Sequence, residues 1–237
     1  MEGYLCHLLE KVHDAPPANS KFKTRETTTF VAPASSGRKT FVKSAEFSHL
    51  AKDSFPKAER QKIWVKWVAP TDGWFKLNTD GSCLGNPGSM ATAGIIRDHH
   101  GNWVSGFSKQ LGFGTSLKAE LCAIALGIKL AKDLACRKLV VESDSLSAVK
   151  LLFENYSCNS HTSGALIQFC RSTLPDFSEV QVCHTLREGN MCADALAKHA
   201  NLSSDAWKVY DTLPGFLRSC FFADHVGISH VREASVL

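Results

Sequence analysis

The sequence has 237 residues and a mass of 25.9 kDa, with 44% hydrophobic and 21% charged residues. This composition excludes a chain that is disordered or fibrous throughout, and the length predicts one domain with an appendage, or two very small domains. The formal net charge of +4 is uneven: residues 1–70 hold 12 basic and 7 acidic residues, whereas residues 71–237 hold 15 and 16.

The start of the chain and its cysteines bear on the cellular compartment. No stretch reaches the ~18–20 consecutive apolar residues of a membrane span, and residues 1–10 lack the basic segment of a signal peptide. The nine cysteines contain no C-x-x-C pair, which argues against a disulfide framework and a zinc ribbon. We therefore expect an intracellular protein of the nucleus or cytoplasm, neither secreted nor membrane-bound, with reduced thiols.

Residues 1–70 differ in texture from the rest of the chain. They hold five of the eight prolines, and only the apolar residues between Leu5 and Val12 recur at helical spacing, which predicts one short helix. Residues 32–37 have the composition of a linker. We predict a basic, mostly irregular N-terminal extension over 1–70, followed by one domain over 71–237 whose C-terminal tail starts near residue 203.

From Trp74 onward the hydrophobic pattern becomes regular. Three consecutive strand-like segments precede an alternation of helices and strands, which predicts a mixed α/β fold in which helices cover a mixed sheet. The predicted strands are 75–80, 91–97, 103–109, 138–142 and 179–184, and the predicted helices cover 117–128, 145–155, 163–173 and 192–200.

Four carboxylates stand out because they lie at strand ends or on helices near the faces that pack on the sheet, rather than on plainly solvent-facing positions. Asp80 ends the first strand before a glycine-rich turn, and Glu120 lies about 60° from the centre of the apolar stripe on its helix. Asp144 follows a buried strand at its carboxyl end, where α/β sheets place ligands. Asp194 lies in the first turn of the last long helix. Together they suit a hard cation such as Mg²⁺ or Mn²⁺, although each alone is also compatible with a cap or a turn carboxylate.

Four segments that contain these residues resemble type 1 ribonuclease H, in the plant form related to the ribonuclease H region of non-LTR retrotransposon reverse transcriptases. The resemblance extends over roughly residues 73–230, and the order and spacing of the segments make it specific. The segments are NTDGSCLGNPG at 78–88, AEL at 119–121, ESDS at 142–145 and HTLREGNMCADALA at 184–197.

The resemblance implies a ribonuclease H-like fold, whose central five-stranded mixed sheet has three antiparallel and then two parallel strands, with helices on both faces. It implies endonucleolytic hydrolysis of the RNA strand of RNA/DNA hybrids, which leaves 3′-hydroxyl and 5′-phosphate ends, by a two-metal-ion mechanism. The expected cofactor is two Mg²⁺ ions, with Mn²⁺ as a substitute. The expected partner is the hybrid, with no membrane, no small-molecule cofactor and a monomeric chain.

The resemblance also implies roles for individual residues. The metal-binding and catalytic carboxylates fall on Asp80, Glu120, Asp144 and Asp194. A histidine of a mobile loop falls on His184, ten residues before Asp194, although its alternation with Val180 and Val182 also fits a core histidine. The residues expected to contact the substrate are Gly81, Ser82, Asn86 and Asn190.

Other interpretations fit less well. A DEDD-type exonuclease has Asp-x-Glu on its first strand, an integrase ends its set with a helical glutamate, and a P-loop has Gly-Lys-Ser/Thr; the sequence has none of these at the matching places. Only Lys150 and Arg171 are basic between residues 145 and 178, so the basic protrusion of some ribonucleases H is missing. The alternative that stays open is a catalytically silent, domesticated retrotransposon-derived module that binds nucleic acid.

Overall fold

The computed structural model of the protein describes residues 60–153, 162–203 and 207–235. Eight strands and five α-helices lie in these ranges, with short 3₁₀ turns at Leu174–Asp176, Arg187–Gly189 and Gly215–Leu217. The strands are β1 (Arg60–Val65), β2 (Phe75–Gly85), β3 (Gly88–Arg97), β4 (Trp103–Gly114), β5 (Lys138–Ser143), β6 (Glu179–His184), β7 (Lys208–Tyr210) and β8 (His230–Ser235). The helices are α1 (Ser116–Asp133), α2 (Leu146–Phe153), α3 (Gly164–Thr173), α4 (Met191–Leu202) and α5 (Arg218–His225).

Six strands form one mixed sheet in the order β6-β5-β2-β3-β4-β7. Strands β2, β3 and β4 are antiparallel to one another, while β5 runs parallel to β2 and β6 runs parallel to β5. The predicted mixed fold and its five strands are thereby confirmed. The sixth strand, β7, adds antiparallel to β4 and was not predicted, because three residues are too few to show an alternating pattern.

The hairpin strands are longer than their predicted spans. Asp80 was predicted to end the first strand, and this was wrong: β2 continues to Gly85 and pairs with β3 over its whole second half. β4 likewise continues to Gly114. The glycines in these segments indicated a turn, but cross-strand hydrogen bonding overrides weak strand propensity. Asp80 therefore lies inside a strand, opposite Ala93 of β3, rather than at the start of a loop.

Helices cover both faces of the sheet, as expected. On one face α1 contributes Leu121, Ile124 and Ile128 to a buried cluster that also contains Ile96 of β3. The preceding residue, Ile95, points to the other face, where it packs with Leu196 of α4. Since α1 and α4 approach β2 from opposite sides, each can bring a carboxylate towards the same end of the sheet.

A buried ionic network joins the C-terminal helix to the sheet. Arg97 is 1% exposed; its guanidinium donates to Asp224 of α5 and to Asn78 of β2, both at 2.7 Å. The ring of Trp67 lies 3.6 Å from the guanidinium carbon and donates its indole N–H to Asn78 at 2.9 Å. Sequence patterns gave no sign of this network because its members are far apart in the chain.

β1 and β8 form a separate two-stranded antiparallel ribbon, with Trp64 opposite Val231. The last part of the predicted irregular extension therefore contains a strand, while the predicted short helix and linker lie outside the described residues. The domain boundary near residue 70 stays a prediction. The seven cysteines in the described ranges are free thiols, and no described helix combines the length and apolar character needed to span a membrane.

Candidate metal centre and nuclease site

Three carboxylates meet beside the carboxyl end of β5. Asp80 comes from β2, Glu120 from the second turn of α1, and Asp144 directly follows β5. One oxygen of each lies within 4.8 Å of one oxygen of both others. These three residues, called here the acidic cluster, are the only group of three or more metal-ligating side chains that close within the described part of the chain.

Local structure around β5 leaves Asp144 available to the acidic cluster. Ser145, not Asp144, caps α2 by accepting a hydrogen bond from Ala148 N at 3.3 Å. Ser143 Oγ accepts a bond from Ser145 N at 3.1 Å and donates to Glu120 Oε2 at 3.5 Å. Because neighbouring serines meet these backbone and side-chain demands, the Asp144 carboxylate does not need to serve as a helix cap.

Burial and mutual repulsion make it energetically unfavourable for all three carboxylates of the acidic cluster to be ionised together. Burial raises the pKa of Asp80 to about 8, with further contributions from Asp144 and Asp194. Burial, and then Asp80 and Asp144, raise the pKa of Glu120 to about 9. A divalent cation among the oxygens would remove both costs, since it replaces lost hydration and offsets the repulsion. The oxygen-only donor set fits a hard cation such as Mg²⁺.

Asp194 lies at the margin of the acidic cluster. It is in the first turn of α4, and it raises the pKa of Asp80, yet it is not one of the three mutually close carboxylates. Its two oxygens accept bonds from Arg187 at 2.8 Å and Lys198 at 2.6 Å. The structure therefore brings three of the four predicted carboxylates together and pairs the fourth with two cationic side chains.

His184 is the last residue of β6, beside Ser143 in the sheet register. Its Nε2 lies 3.2 Å from the backbone oxygen of Asp144. A carbonyl oxygen only accepts hydrogen bonds, so this contact places the proton of a neutral ring on Nε2 and leaves Nδ1 as an acceptor. The side chain is half-buried and borders the acidic cluster rather than filling the hydrophobic core.

Gly81 allows β2 and α1 to touch at the acidic cluster. A Cβ on this residue would lie 2.4 Å from the backbone nitrogen of Glu120 and 2.5 Å from the carbonyl carbon of Ala119. The amide of Gly81 also donates a hydrogen bond to the Glu120 carboxylate. The sequence predicted a substrate contact here, and the structure gives the residue a packing role next to the site.

The other predicted substrate contacts have partners within the protein. Asn86 is exposed in the β2–β3 turn and accepts a bond from Ser116 N at 3.1 Å, and half-buried Ser82 accepts one from Asn201 at 3.1 Å. Asn190 is 1% exposed and donates to the backbone oxygen of Thr79 at 2.9 Å. Asn190 thus ties the start of α4 to the residue before Asp80, out of reach of a substrate in this structure.

Sequence patterns assigned no role to Arg187 or Lys198, the two residues that pair with Asp194. Lys198 had a detectable signal, since it follows Asp194 by four residues on one helix. No spacing rule indicated that Arg187 pairs with Asp194, because this contact depends on how the Arg187–Gly189 turn folds against α4. Both are exposed cations beside an acidic site, where they can meet a phosphate.

Comparison with known proteins places this site in a family. The model of the family described as reverse transcriptase-like matches residues 78–200, the range that contains the acidic cluster, His184 and Asp194. The chain belongs to the reverse transcriptase-like family. The sheet order and the helices on both faces are those of a type 1 ribonuclease H-like domain.

Individual relatives agree with this membership. An Arabidopsis thaliana protein named "Putative ribonuclease H protein" is 33% identical over 178 residues, which are 75% of this chain and 28% of that protein. The chain thus spans little more than a quarter of the length of that relative. The structure of LC11-RNase H1, a protein isolated from compost, is 25% identical in sequence with a TM-score of 0.50. The match covers 55% of this chain and 99% of that one.

A bacterial structure shows the same fold. The N-terminal RNase H domain of a Mycobacterium tuberculosis protein, solved as a fusion with maltose binding protein, is 22% identical with a TM-score of 0.50. The match covers 54% of this chain and 92% of that one. Another structure of LC11-RNase H1, 23% identical with a TM-score of 0.50 over 54% of this chain and 99% of that one, contains an RNA/DNA hybrid.

Proposed function

We propose that this protein is an endoribonuclease that hydrolyses the RNA strand of RNA/DNA hybrids. The observation that carries the proposal is the acidic cluster of Asp80, Glu120 and Asp144, whose oxygens approach within 4.8 Å in a ribonuclease H-like fold. The hybrid bound by LC11-RNase H1 supports the choice of substrate.

The acidic cluster would hold divalent cations, with Mg²⁺ as the expected ion. Bound there, such ions supply a lowered pKa for an attacking water and charge stabilisation for the leaving oxygen. The raised pKa values of Asp80 and Glu120 support this assignment, since they mark carboxylates whose negative charges are stable only with a cation nearby. Asp194 would complete the set at the margin of the cluster.

The protein's own side chains would then position the substrate and move protons. Arg187 is 64% exposed beside Asp194, and its guanidinium has donors left to bind a phosphate oxygen of the RNA. The free Nδ1 of His184 can accept a proton from water or carry one to the departing 3′-oxygen. Gly81 and Asn190 would act by positioning, because they fix α1 and α4 against β2.

Recognition of the hybrid would rest on its shape and on 2′-hydroxyl groups. The deep, narrow major groove of an A-like duplex does not admit side chains, so the sequence of the bases is not read there. Exposed Asn86 and half-buried Ser82 lie on the β2–β3 hairpin that extends from Asp80, and both carry groups that can bond a 2′-hydroxyl. We therefore expect little dependence on base sequence.

The experiment that tests the proposal is incubation of the full chain with three labelled substrates in Mg²⁺ or in EDTA. Each substrate is about 20 nucleotides long, or roughly two duplex turns. The substrates are RNA/DNA hybrid, single-stranded RNA and double-stranded RNA. We expect cleavage of the RNA in the hybrid alone, only with Mg²⁺, with 5′-phosphate products. Binding of the hybrid without any cleavage would overturn the proposal in favour of the catalytically silent module.

A further inference from the structure

The ribbon of β1 and β8 has an unusual outward face. Lys62 and Trp64 alternate along β1, so their side chains share one side of the strand, and Lys66 directly follows the strand at the next position of the same alternation. All three are exposed, and the indole of Trp64 is 70% exposed. Val231, opposite Trp64 on β8, is 48% exposed. This face thus carries an aromatic side chain between two lysines. The β1–β8 ribbon with its outward residues Lys62, Trp64 and Lys66 is called here the basic ribbon.

The positive charge of the N-terminal part of the chain is concentrated at this ribbon. Residues 60–70 contain three basic residues and no acidic one, whereas residues 1–59 hold nine basic and seven acidic residues. One carboxylate, Glu233, lies opposite Lys62 in the register. Arg232 belongs to the other side of the ribbon and pairs with Glu188 at 3.1 Å, so it does not add to the outward face.

The basic ribbon lies against the turn that borders the acidic cluster. Arg187 and Glu188 are consecutive residues of the Arg187–Gly189 turn; Arg187 bonds Asp194 and Glu188 bonds Arg232 of β8. The backbone oxygen of Lys66 is 3.6 Å from the position that a Cβ on Gly189 would take. One short turn therefore contacts the margin of the nuclease site on one side and the ribbon on the other.

We propose that the basic ribbon is a second nucleic-acid contact, which binds the substrate strand where it continues beyond the nuclease site. Lys62 and Lys66 would contact backbone phosphates, and the Trp64 indole would stack on a base or sugar. This inference rests on the proposed function and extends it. The ribbon would take the place of the basic protrusion that residues 145–178 do not provide.

The test measures binding apart from cleavage. Fluorescence anisotropy of a labelled hybrid with a single-stranded overhang is followed in EDTA at several KCl concentrations, with the full chain. Trp64→Ala should weaken binding about tenfold, within the range for loss of one stacked base. The double variant Lys62→Gln with Lys66→Gln should flatten the slope of log K against log[KCl] by about 1.4, which corresponds to two phosphate contacts on a single strand.

Matched controls come from the opposite end of the parallel strands. Lys132→Gln with Lys138→Gln removes the same charge, and Leu134→Ala removes an exposed apolar side chain of the same region; both should bind as the wild type does. All the substituted side chains are at least partly exposed, so each variant should keep the wild-type thermal midpoint. Trp64→Phe should restore most of the affinity lost in Trp64→Ala.

Equal affinity and equal salt slope in the ribbon variants would overturn the inference. So would a wild-type chain that sediments as a dimer, becomes monomeric in Trp64→Ala and binds the hybrid equally well in both forms, since the ribbon would then join two copies. Cleavage of the same hybrid by the wild type in Mg²⁺, measured separately, decides the proposed function whatever the ribbon variants show.

Discussion

Gly81 and Glu120 are in direct backbone contact, with only 2.4 Å between the site of a Cβ on Gly81 and the Glu120 nitrogen. The Gly81 amide also donates to the Glu120 carboxylate. This contact fixes how closely α1 approaches β2 at the residue after Asp80. The spacing of the acidic cluster thus depends on a residue that has no side chain.

Replacement of Gly81 by alanine should destabilise the protein and open the acidic cluster. The clash is with backbone rather than with a movable side chain, so we expect a loss of about 1–3 kcal/mol in the free energy of unfolding. Denaturant unfolding checks this. Gly215→Ala is the control, because nothing lies within 4 Å of its Cβ position and a change within about 0.5 kcal/mol is expected. A Gly81→Ala protein as stable as the control would contradict the packing role.

Asp80→Asn should stabilise the metal-free protein in a pH-dependent way. The pKa of Asp80 is near 3.8 when unperturbed and about 8 in the folded chain, so the folded state holds a proton that the unfolded state has released. The wild type therefore loses stability as pH rises from about 4 to about 8, and the variant does not lose this contribution. We expect near-equal stability at pH 4 and an advantage of about 1–3 kcal/mol for the variant at pH 8.

Thermal unfolding of both proteins in EDTA across this pH range is the measurement for Asp80→Asn. Asp133→Asn, which changes an exposed helical carboxylate paired with Lys129, serves as the control and should follow the wild type within about 0.5 kcal/mol. A wild type that gains stability over Asp80→Asn between pH 4 and pH 8 would contradict the account of the acidic cluster.

The sequence predicted the candidate site better than the contacts that hold it together. The four carboxylates were singled out by residue type and position, and the family resemblance added their shared role and His184. Hydrophobic periodicity placed the strands and helices on which they lie, although it ended β2 too early, at Asp80. The pairing of Asp194 with Arg187 and Lys198 could not, because it depends on how a 3₁₀ turn folds back towards α4. Asn190 was expected at the substrate and is buried against Thr79, since a motif position does not by itself define exposure.

The fold shows the same division. Hydrophobic periodicity predicted five strands and four helices between residues 75 and 200, whereas β1, β7, β8 and α5 were not predicted. The extension of β2 to Gly85 was also missed, because it depends on cross-strand pairing. The buried Arg97–Asp224 pair and the β1–β8 ribbon join residues more than 120 positions apart. Local patterns carry no information on such contacts.

Mn²⁺ binding should distinguish the acidic cluster from Asp194. Titration calorimetry of the full chain should show at least a tenfold loss of affinity for the first ion in Asp144→Asn, equal to about 1.4 kcal/mol. Asp194→Asn should lose less, because Asp194 is outside the group of three and already paired with two cations. Equal losses in the two variants would show that Asp194 is a full member of the first ion's site.

His184→Ala should slow cleavage of the hybrid by about 10²-fold, the lower end for a general acid–base group. The half-buried ring borders the acidic cluster and bonds one carbonyl oxygen, so the thermal midpoint should change little. Single-turnover rates and thermal unfolding separate the two effects. His100→Ala, on the exposed β3–β4 turn, should keep the wild-type rate. An unfolded His184→Ala protein would return this residue to a structural role, and an unchanged rate would remove it from the mechanism.

The most direct test of the central claim is the Mg²⁺-dependent cleavage rate of an end-labelled RNA/DNA hybrid by the wild type, Asp144→Asn and Asp176→Asn. Asp176 is an exposed carboxylate paired with Lys132, so its variant controls for the loss of one negative charge away from the acidic cluster. We predict that the wild type and Asp176→Asn cleave the RNA strand at equal rates and that Asp144→Asn, folded and able to bind the hybrid, cleaves none. Cleavage by Asp144→Asn at the wild-type rate would contradict the assignment of the acidic cluster as the nuclease site.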